Sequence, residues 1–260
     1  MVLEWLLNAD PGLRWQVLRD LTGAPPEKVA AERSRVAREG WGARLHALRD
    51  DDGQWAGGAC FPAGFGRDFS AGQPWTSTLP TLTLLRELRV DPADARVRET
   101  IALVRENCRW EHAGQPFFAG EVEPCINGRT VAIGAYFGVD VDGIVERLVG
   151  EQLPDGGWNC EAENGSVRSS FHSTICVLEG LLEHERATGG SPASRQEEAI
   201  AVVTTARTTD GRWLLENTHP GAVHFPLEDG DGAPSRWNTL RALRVLNWYD
   251  GGRPPGPAGL

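Results

Sequence analysis

Apolar positions recur along this chain at helical spacing, in two alternating styles. In the first, charged residues fill the face opposite the apolar stripe. Segments 40–51, 94–107, 141–153 and 195–208 read this way. In the third of them Ile144, Val145, Leu148 and Val149 stand at i, i+1, i+4 and i+5, as an amphipathic helix requires. In the second style apolar and small residues dominate, over 75–88, 125–138, 172–185 and 237–249, with 12–21 ahead of them. These predict the more buried partner of each pair. Alternation at period two is almost absent, so strands are not expected. The pattern predicts an all-α chain in which outer and inner helices alternate.

A short turn recurs between each outer helix and the inner helix that follows. DDGQW, NCRW, PDGGW and TDGRW place Trp55, Trp110, Trp158 and Trp213 at intervals of 55, 48 and 55 residues. A nearly constant period marks a repeat architecture, because each unit cannot bury its own apolar face alone. Long loops follow the turns, over 56–74, 111–124, 159–170 and 214–236. Loops of that length inside a compact domain usually carry function, and all four are expected at one end. Such hairpins stack as an open solenoid or close into a ring, and a ring gathers the starts of its inner helices around one mouth. A single domain is expected over 1–250, followed by a disordered Gly/Pro tail over 251–260.

Charge and cysteine usage narrow the function classes. The 260 residues carry 36 acidic against 26 basic side chains, a formal charge of -10, with Lys28 the only lysine. That balance disfavours a nucleic-acid partner, which needs a basic face. No apolar run approaches the ~20 residues of a membrane span, and the first dozen residues are too short and acidic for a signal peptide. Cys60, Cys108, Cys125, Cys160 and Cys176 are odd in number and irregular in spacing, so a secreted disulfide framework is not expected and a cytoplasmic location is. No Gly-x-Gly-x-x-Gly follows a strand and no Gly-x-Ser-x-Gly occurs, so neither a nucleotide cofactor nor a nucleophile elbow is expected.

The stretch QLPDGGW (152–158) resembles the QW repeat of squalene and oxidosqualene cyclases, with DGQW and DGRW as degenerate copies. The order of turn, loop and inner helix is also similar to protein prenyltransferase β subunits. The resemblance spans roughly 12–250 and implies the α/α toroid of the terpenoid cyclase/protein prenyltransferase superfamily. It implies cyclisation, isomerisation or group transfer on a largely apolar, isoprenoid-like molecule in a central cavity. The acid motif Asp-x-Asp-Asp of class II cyclases has no match, since DVDG (140–143) ends in Gly and opens an outer helix. Asp140 and Asp142 read as helix-capping residues there.

The prenyltransferase likeness also implies a Zn²⁺ site, because SSFHSTICVLEGL puts His172 on that family's ligand position. The family's Asp-x-Cys does not align; Cys125 and Cys160 stand instead at the starts of the neighbouring inner helix and loop. Two thiolates and an imidazole suit a tetrahedral ion with one open place. Glu121, Glu123, Glu161 and Glu163 lie close in sequence, the last two as candidate acid/base groups and all four as orienting carboxylates. The alternative is that Cys125 and Cys160 are small buried hydrophobes and His172 caps a helix. His224 is a candidate acid/base or a solvated loop histidine. Arg129 and Arg168 are candidates for a substrate anion or for structural pairing, and Asn127 for a substrate hydrogen bond or a cap. Trp75, Trp237 and Tyr136, with Trp110, Phe117 and Phe118, are candidates for an apolar cavity wall, where aromatic faces favour cations, or for core. Two further readings stand beside the metal enzyme. One is a ligand-binding or scaffold toroid without chemistry. The other is a subunit needing a helical partner, which the well-charged outer helices disfavour.

Overall fold

Among the described residues, each apolar stripe in the sequence becomes a helix that buries it. The computed structural model describes residues 2–66, 68–189, 204, 207–215, 218 and 220–249, with the side chains of 171, 172, 175, 241, 244, 245 and 247–249 outside that description. Its helices are α1 (Val2–Leu7), α2 (Pro11–Leu21), α3 (Pro26–Arg35), α4 (Gly40–Ala47), α5 (Thr78–Glu87), α6 (Ala95–Asn107), α7 (Pro124–Phe137), α8 (Asp142–Gly150), α9 (Phe171–Thr188) and α10 (Arg236–Tyr249). The all-α expectation holds, apart from a two-stranded antiparallel patch, β1 (Trp213–Leu214) with β2 (Pro234–Ser235), Trp213 facing Ser235. The expected outer helix at 195–208 and the tail 251–260 fall almost wholly outside the described residues.

The two styles differ in burial as the pattern requires. Outer helix α6 buries Val97, Thr100, Ile101 and Val104 along one stripe. Inner helix α7 buries the continuous run Thr130–Gly134 and Pro124, Asn127 and Gly128 besides. The buried helices form a row in space in the order α10, α2, α5, α7, α9, with α4 against α2 and α5 and α8 against α7. Across α2 and the end of α5, Trp15 Nε1 donates to Leu88 O (3.1 Å) and Gln16 Nε2 to Glu87 O (2.7 Å). The tightest approach is α7 on α9. A Cβ on Gly128 would stand 2.4 Å from Cys176 O, and one on Gly180 would stand 2.3 Å from Gly128 O. Only glycine at both positions lets the backbones come this close.

The repeated turns are built alike. Gly53, Gly156 and Gly211 adopt φ of +91°, +87° and +82°, which L side chains resist. The tryptophan N–H is then caught by a threonine at the start of the next inner helix: Trp55 by Thr78 (3.2 Å), Trp158 by Thr174 (3.0 Å), Trp213 by Thr239 (3.1 Å). Trp55 Nε1 and Trp158 Nε1 donate back to the ends of their outer helices, at Leu45 O and Leu148 O. The NCRW copy departs from this. It lacks the glycine, and Trp110 instead donates Nε1 to Phe117 O (2.8 Å) and stacks on that ring at 4.7 Å.

The long loops meet one another. Trp75 N donates to Ala222 O (2.8 Å), joining the first loop to the fourth, and Cys60 N donates to Glu111 Oε1 (2.9 Å), joining the first to the second. Beneath them lie two apolar cores. The larger draws on α1, α2, α4, α5, α6 and α10 with Ile133 of α7; the smaller joins Val131 of α7 to Val141, Ile144, Leu148, Trp158 and Val177 of the third repeat. Among the described residues no helix is long and apolar enough to cross a membrane.

Candidate functional site

Sequence places Cys125 in the first turn of α7, where Pro124 at the N-terminal position fixes the entry of the chain. The loop ahead of it is pinned from several sides. Glu121 N donates to Asn127 Oδ1 and Asn127 Nδ2 returns a bond to Glu121 O, both 2.7 Å. Arg147 Nη1 donates to the same Glu121 carbonyl (2.6 Å), and Glu123 N to Glu121 Oε2 (2.8 Å). Cys160 opens a 3-10 turn capped by Asn159, whose Oδ1 accepts from Glu161 N (2.9 Å) while its amide donates to Arg168 O (2.7 Å). Ser173, at the start of α9, fixes this cysteine twice: its Oγ accepts from Cys160 N and lies 3.2 Å from Cys160 Sγ.

These two anchored loops bring three donors together. Atoms of Glu123, Cys125 and Cys160 all lie within 4.8 Å of one another. Cys125 Sγ stands 3.5 Å from Glu123 Oε2, within the reach of a thiol donor. The thiols also meet each other. The Cys160 sulfur beside it, with burial, holds Cys125 protonated well above an ordinary thiol. The Cys125 thiol in turn lowers Cys160 to about 7, against the pull of burial and with help from Ser173. Cys60 and Cys108 behave oppositely: burial pushes each up to about 12, as for inert core thiols.

A cavity of about 540 Å³ opens beside the trio. Trp75 and Trp110 form part of its wall, Arg129 lies one helical turn beyond Cys125, and Glu161 and Glu163 stand at the exposed rim. Three phenylalanines of the first loop, Phe61, Phe65 and Phe69, pack on one another at 5.5–5.9 Å, and Phe61 and Phe69 reach the cavity.

The structure thus gathers Cys125, Cys160, Glu161, Glu163, Arg129 and Trp75 from three separate segments. Other candidates lie apart from that lining. Asn127 spends its amide on the Glu121 backbone. The Tyr136 hydroxyl donates to Val90 O (2.7 Å) and accepts from Arg33 (3.3 Å). Trp237 is buried beside Trp41, with ring centroids 6.4 Å apart. Arg168 is exposed on the third loop. His224 Nε2 lies 2.7 Å from Thr81 Oγ1, and burial lowers its pKa. The backbone of His172 is in the first turn of α9, but its side chain lies outside the described residues, as does His219. Asp140 caps α8 by accepting from Asp142 N (3.0 Å), and Asp142 meets His184 at 2.7 Å.

Sequence reasoning had Glu123 as an orienting carboxylate, whereas here it is grouped with the two sulfurs. Its placement two residues before Cys125 was the available signal. Glu111, His112 and Gln73 also line the cavity; nothing in their local sequence marks them, because each arrives on a loop whose course is set by distant contacts. No protein-family model matches the chain and no curated protein matches it.

Proposed function

We propose that this chain is a small α/α-toroid enzyme that holds a Zn²⁺-type ion at its cavity mouth and acts on a largely apolar small molecule. The observation that carries the reading is the convergence of Cys125 and Cys160, 35 residues apart in sequence, with Glu123 at the edge of an open cavity. The donor set fits the ion. Tetrahedral Zn²⁺ spaces its ligands by roughly 3.7 Å, so the three side chains need draw together by only about 1 Å. The lowered Cys160 thiol is close to the thiolate form that a metal requires. Bound there with a coordination place left open, such an ion supplies Lewis acidity to an oxygen or sulfur of the substrate. His172, from the turn that also carries Ser173, is the proposed alternative to Glu123 as third donor, so that the fourth place stays open.

The remaining roles follow from position. Trp75 and Trp110 exclude water from the substrate's apolar part. Glu161, oriented by Asn164 Nδ2 (2.8 Å), and Glu163 exchange protons with solvent at the rim. With Asp140 and Asp142 committed to α8 and His184, transfer or isomerisation suits this site better than cyclisation begun by an acid motif. The row of inner helices supports the toroid. Free thiols suit a reducing, cytoplasmic setting.

Elemental analysis of protein purified without added metal tests the reading. About one zinc per chain is expected, falling sharply in Cys125→Ser and Cys160→Ser while both variants keep the wild-type helical spectrum. Protein that is metal-free as isolated and takes up no zinc in titration would sink it. A ligand-binding toroid without chemistry is the second reading. It is favoured by the absence of a free Asp-x-Asp-Asp acid and would be left standing by that result.

A further inference from the structure

The cavity contains one charge that the fold leaves unpaired. Arg129 sits between α7 and α9 with part of its surface on the cavity. Burial works against its charge, but the Cys176 side chain hydrogen-bonds it and the more distant Glu179 carboxylate favours the cation; an arginine stays protonated in any case. Among the described residues its guanidinium takes part in no ion pair, although nearly every other enclosed arginine does: Arg86 meets Glu87 and Glu183, and Arg89 meets Glu183. A guanidinium held in a wall without a carboxylate in direct contact is costly unless something negative reaches it.

The rest of the lining decides what that something is. Glu111, Glu121, Glu123, Glu161 and Glu163 all border the cavity, and among the described residues Arg129 is the only Arg or Lys in its lining. A divalent ion held by two thiolates and Glu123 would leave that corner no more positive. A phosphate monoester carries about -1.5 to -2 charges at pH 7, and a diphosphate more, so either would meet five carboxylates with a single cation to offset them. A carboxylate carries one charge and matches the planar fork of guanidinium through two parallel hydrogen bonds. The Trp75, Trp110 and Phe61 surfaces are left for an apolar body.

We propose that the substrate of this site is an apolar monocarboxylate, with its carboxylate on Arg129 and its hydrocarbon against Trp75, Trp110 and Phe61. This rests on the cavity being the substrate site, as argued above, but not on the metal being present.

Titration calorimetry of the full chain with decanoate, decanol and decyl phosphate tests it, in zinc-loaded and chelator-treated protein. Decanoate is expected to bind roughly ten- to hundredfold tighter than decanol, the range for hydrogen bonds to a charged group, and tighter than decyl phosphate. Arg129→Gln should erase the margin over decanol while leaving decanol binding and zinc content as they were; Arg129→Lys should keep part of it. Decanoate that binds no tighter than decanol, or not measurably below its micelle concentration, overturns the proposal. So does tighter binding of decyl phosphate, or a folded Arg129→Gln that keeps the margin. The wild-type comparison decides even if Arg129→Gln does not fold. Zinc stoichiometry reads the metal site separately, so failure of one reading is not mistaken for failure of the other.

Discussion

Gly128 and Gly180 show how much of this site depends on a missing atom. Each lies where the other helix's backbone would collide with a β-carbon, at 2.4 and 2.3 Å. Gly128→Ala should therefore push α7 off α9, at a cost of about 1–3 kcal/mol as overpacking. Because Cys125 rides on α7 and Cys160 is fixed by Ser173 of α9, the same shift should weaken zinc binding. Urea denaturation and competition with a chelator of known affinity would show both effects. Gly143 in α8 is the control: nothing lies within 4 Å of its added Cβ and its φ is ordinary, so Gly143→Ala should be neutral or stabilising by about 0.5 kcal/mol. Destabilisation of equal size at both positions would mean that close backbone packing is not what Gly128 provides.

At the scale of elements, the C-terminal half of α9 is held by charge. Glu183 of α9 binds Arg89 through both carboxylate oxygens (2.6 Å each) and Arg86 at 3.3 Å, tying α9 to the end of α5. Arg89 reaches this position from a left-handed backbone, φ +53°, where glycine is the usual occupant, so the ion pair compensates for local strain. Burial pulls the Glu183 pKa up, but the Arg89 and Arg86 partners outweigh it and the net shift is downward. A carboxylate whose folded pKa is depressed adds stability that is complete above its unfolded value, near 4.5, and lost as pH falls toward the folded one. Glu183→Gln should cost about 3 kcal/mol near pH 7, since it strands the enclosed Arg89 and leaves Arg86 with Glu87 alone. The gap between wild type and variant in urea midpoint should narrow below pH 4.5. A gap independent of pH would show that the carboxylate charge is not its source.

For the whole molecule, the cavity lies between two cores of unequal size. Trp110 and Cys60 on one side belong to the larger; α7, α8 and α9 on the other carry the smaller. Local stability follows buried apolar contact, so the third repeat should open first. An ion bridging Cys125 and Cys160 binds only the closed arrangement and, at a hundred times its Kd, adds about 2.7 kcal/mol. Hydrogen exchange with and without zinc should therefore show protection gained mainly over α7–α9, with α2 and α5 little changed. Uniform protection along the chain would place the smaller core within one cooperative unit with the larger.

Sequence alone determined most of the described helices, the glycine turns and the meeting of the long loops. Those rest on short-range rules: the 3.6-residue period sets a helix and its buried face, and a left-handed residue before tryptophan needs glycine. Cys125, Cys160, Arg129 and the rim glutamates were legible because chemistry-bearing residues on long loops at inner-helix starts stand out. Helix α3 was missed because it buries none of its residues, leaving no apolar stripe to read; α1 is only six residues long. Tertiary structure alone decided that Asn127 holds the Glu121 backbone, that Tyr136 is spent on Val90, and that Glu123 joins the sulfurs. It also decided that Arg129 faces a cavity with no carboxylate partner among the described residues. Those outcomes depend on distances between segments tens of residues apart, set by how closely α7 meets α9, and no local period encodes that distance.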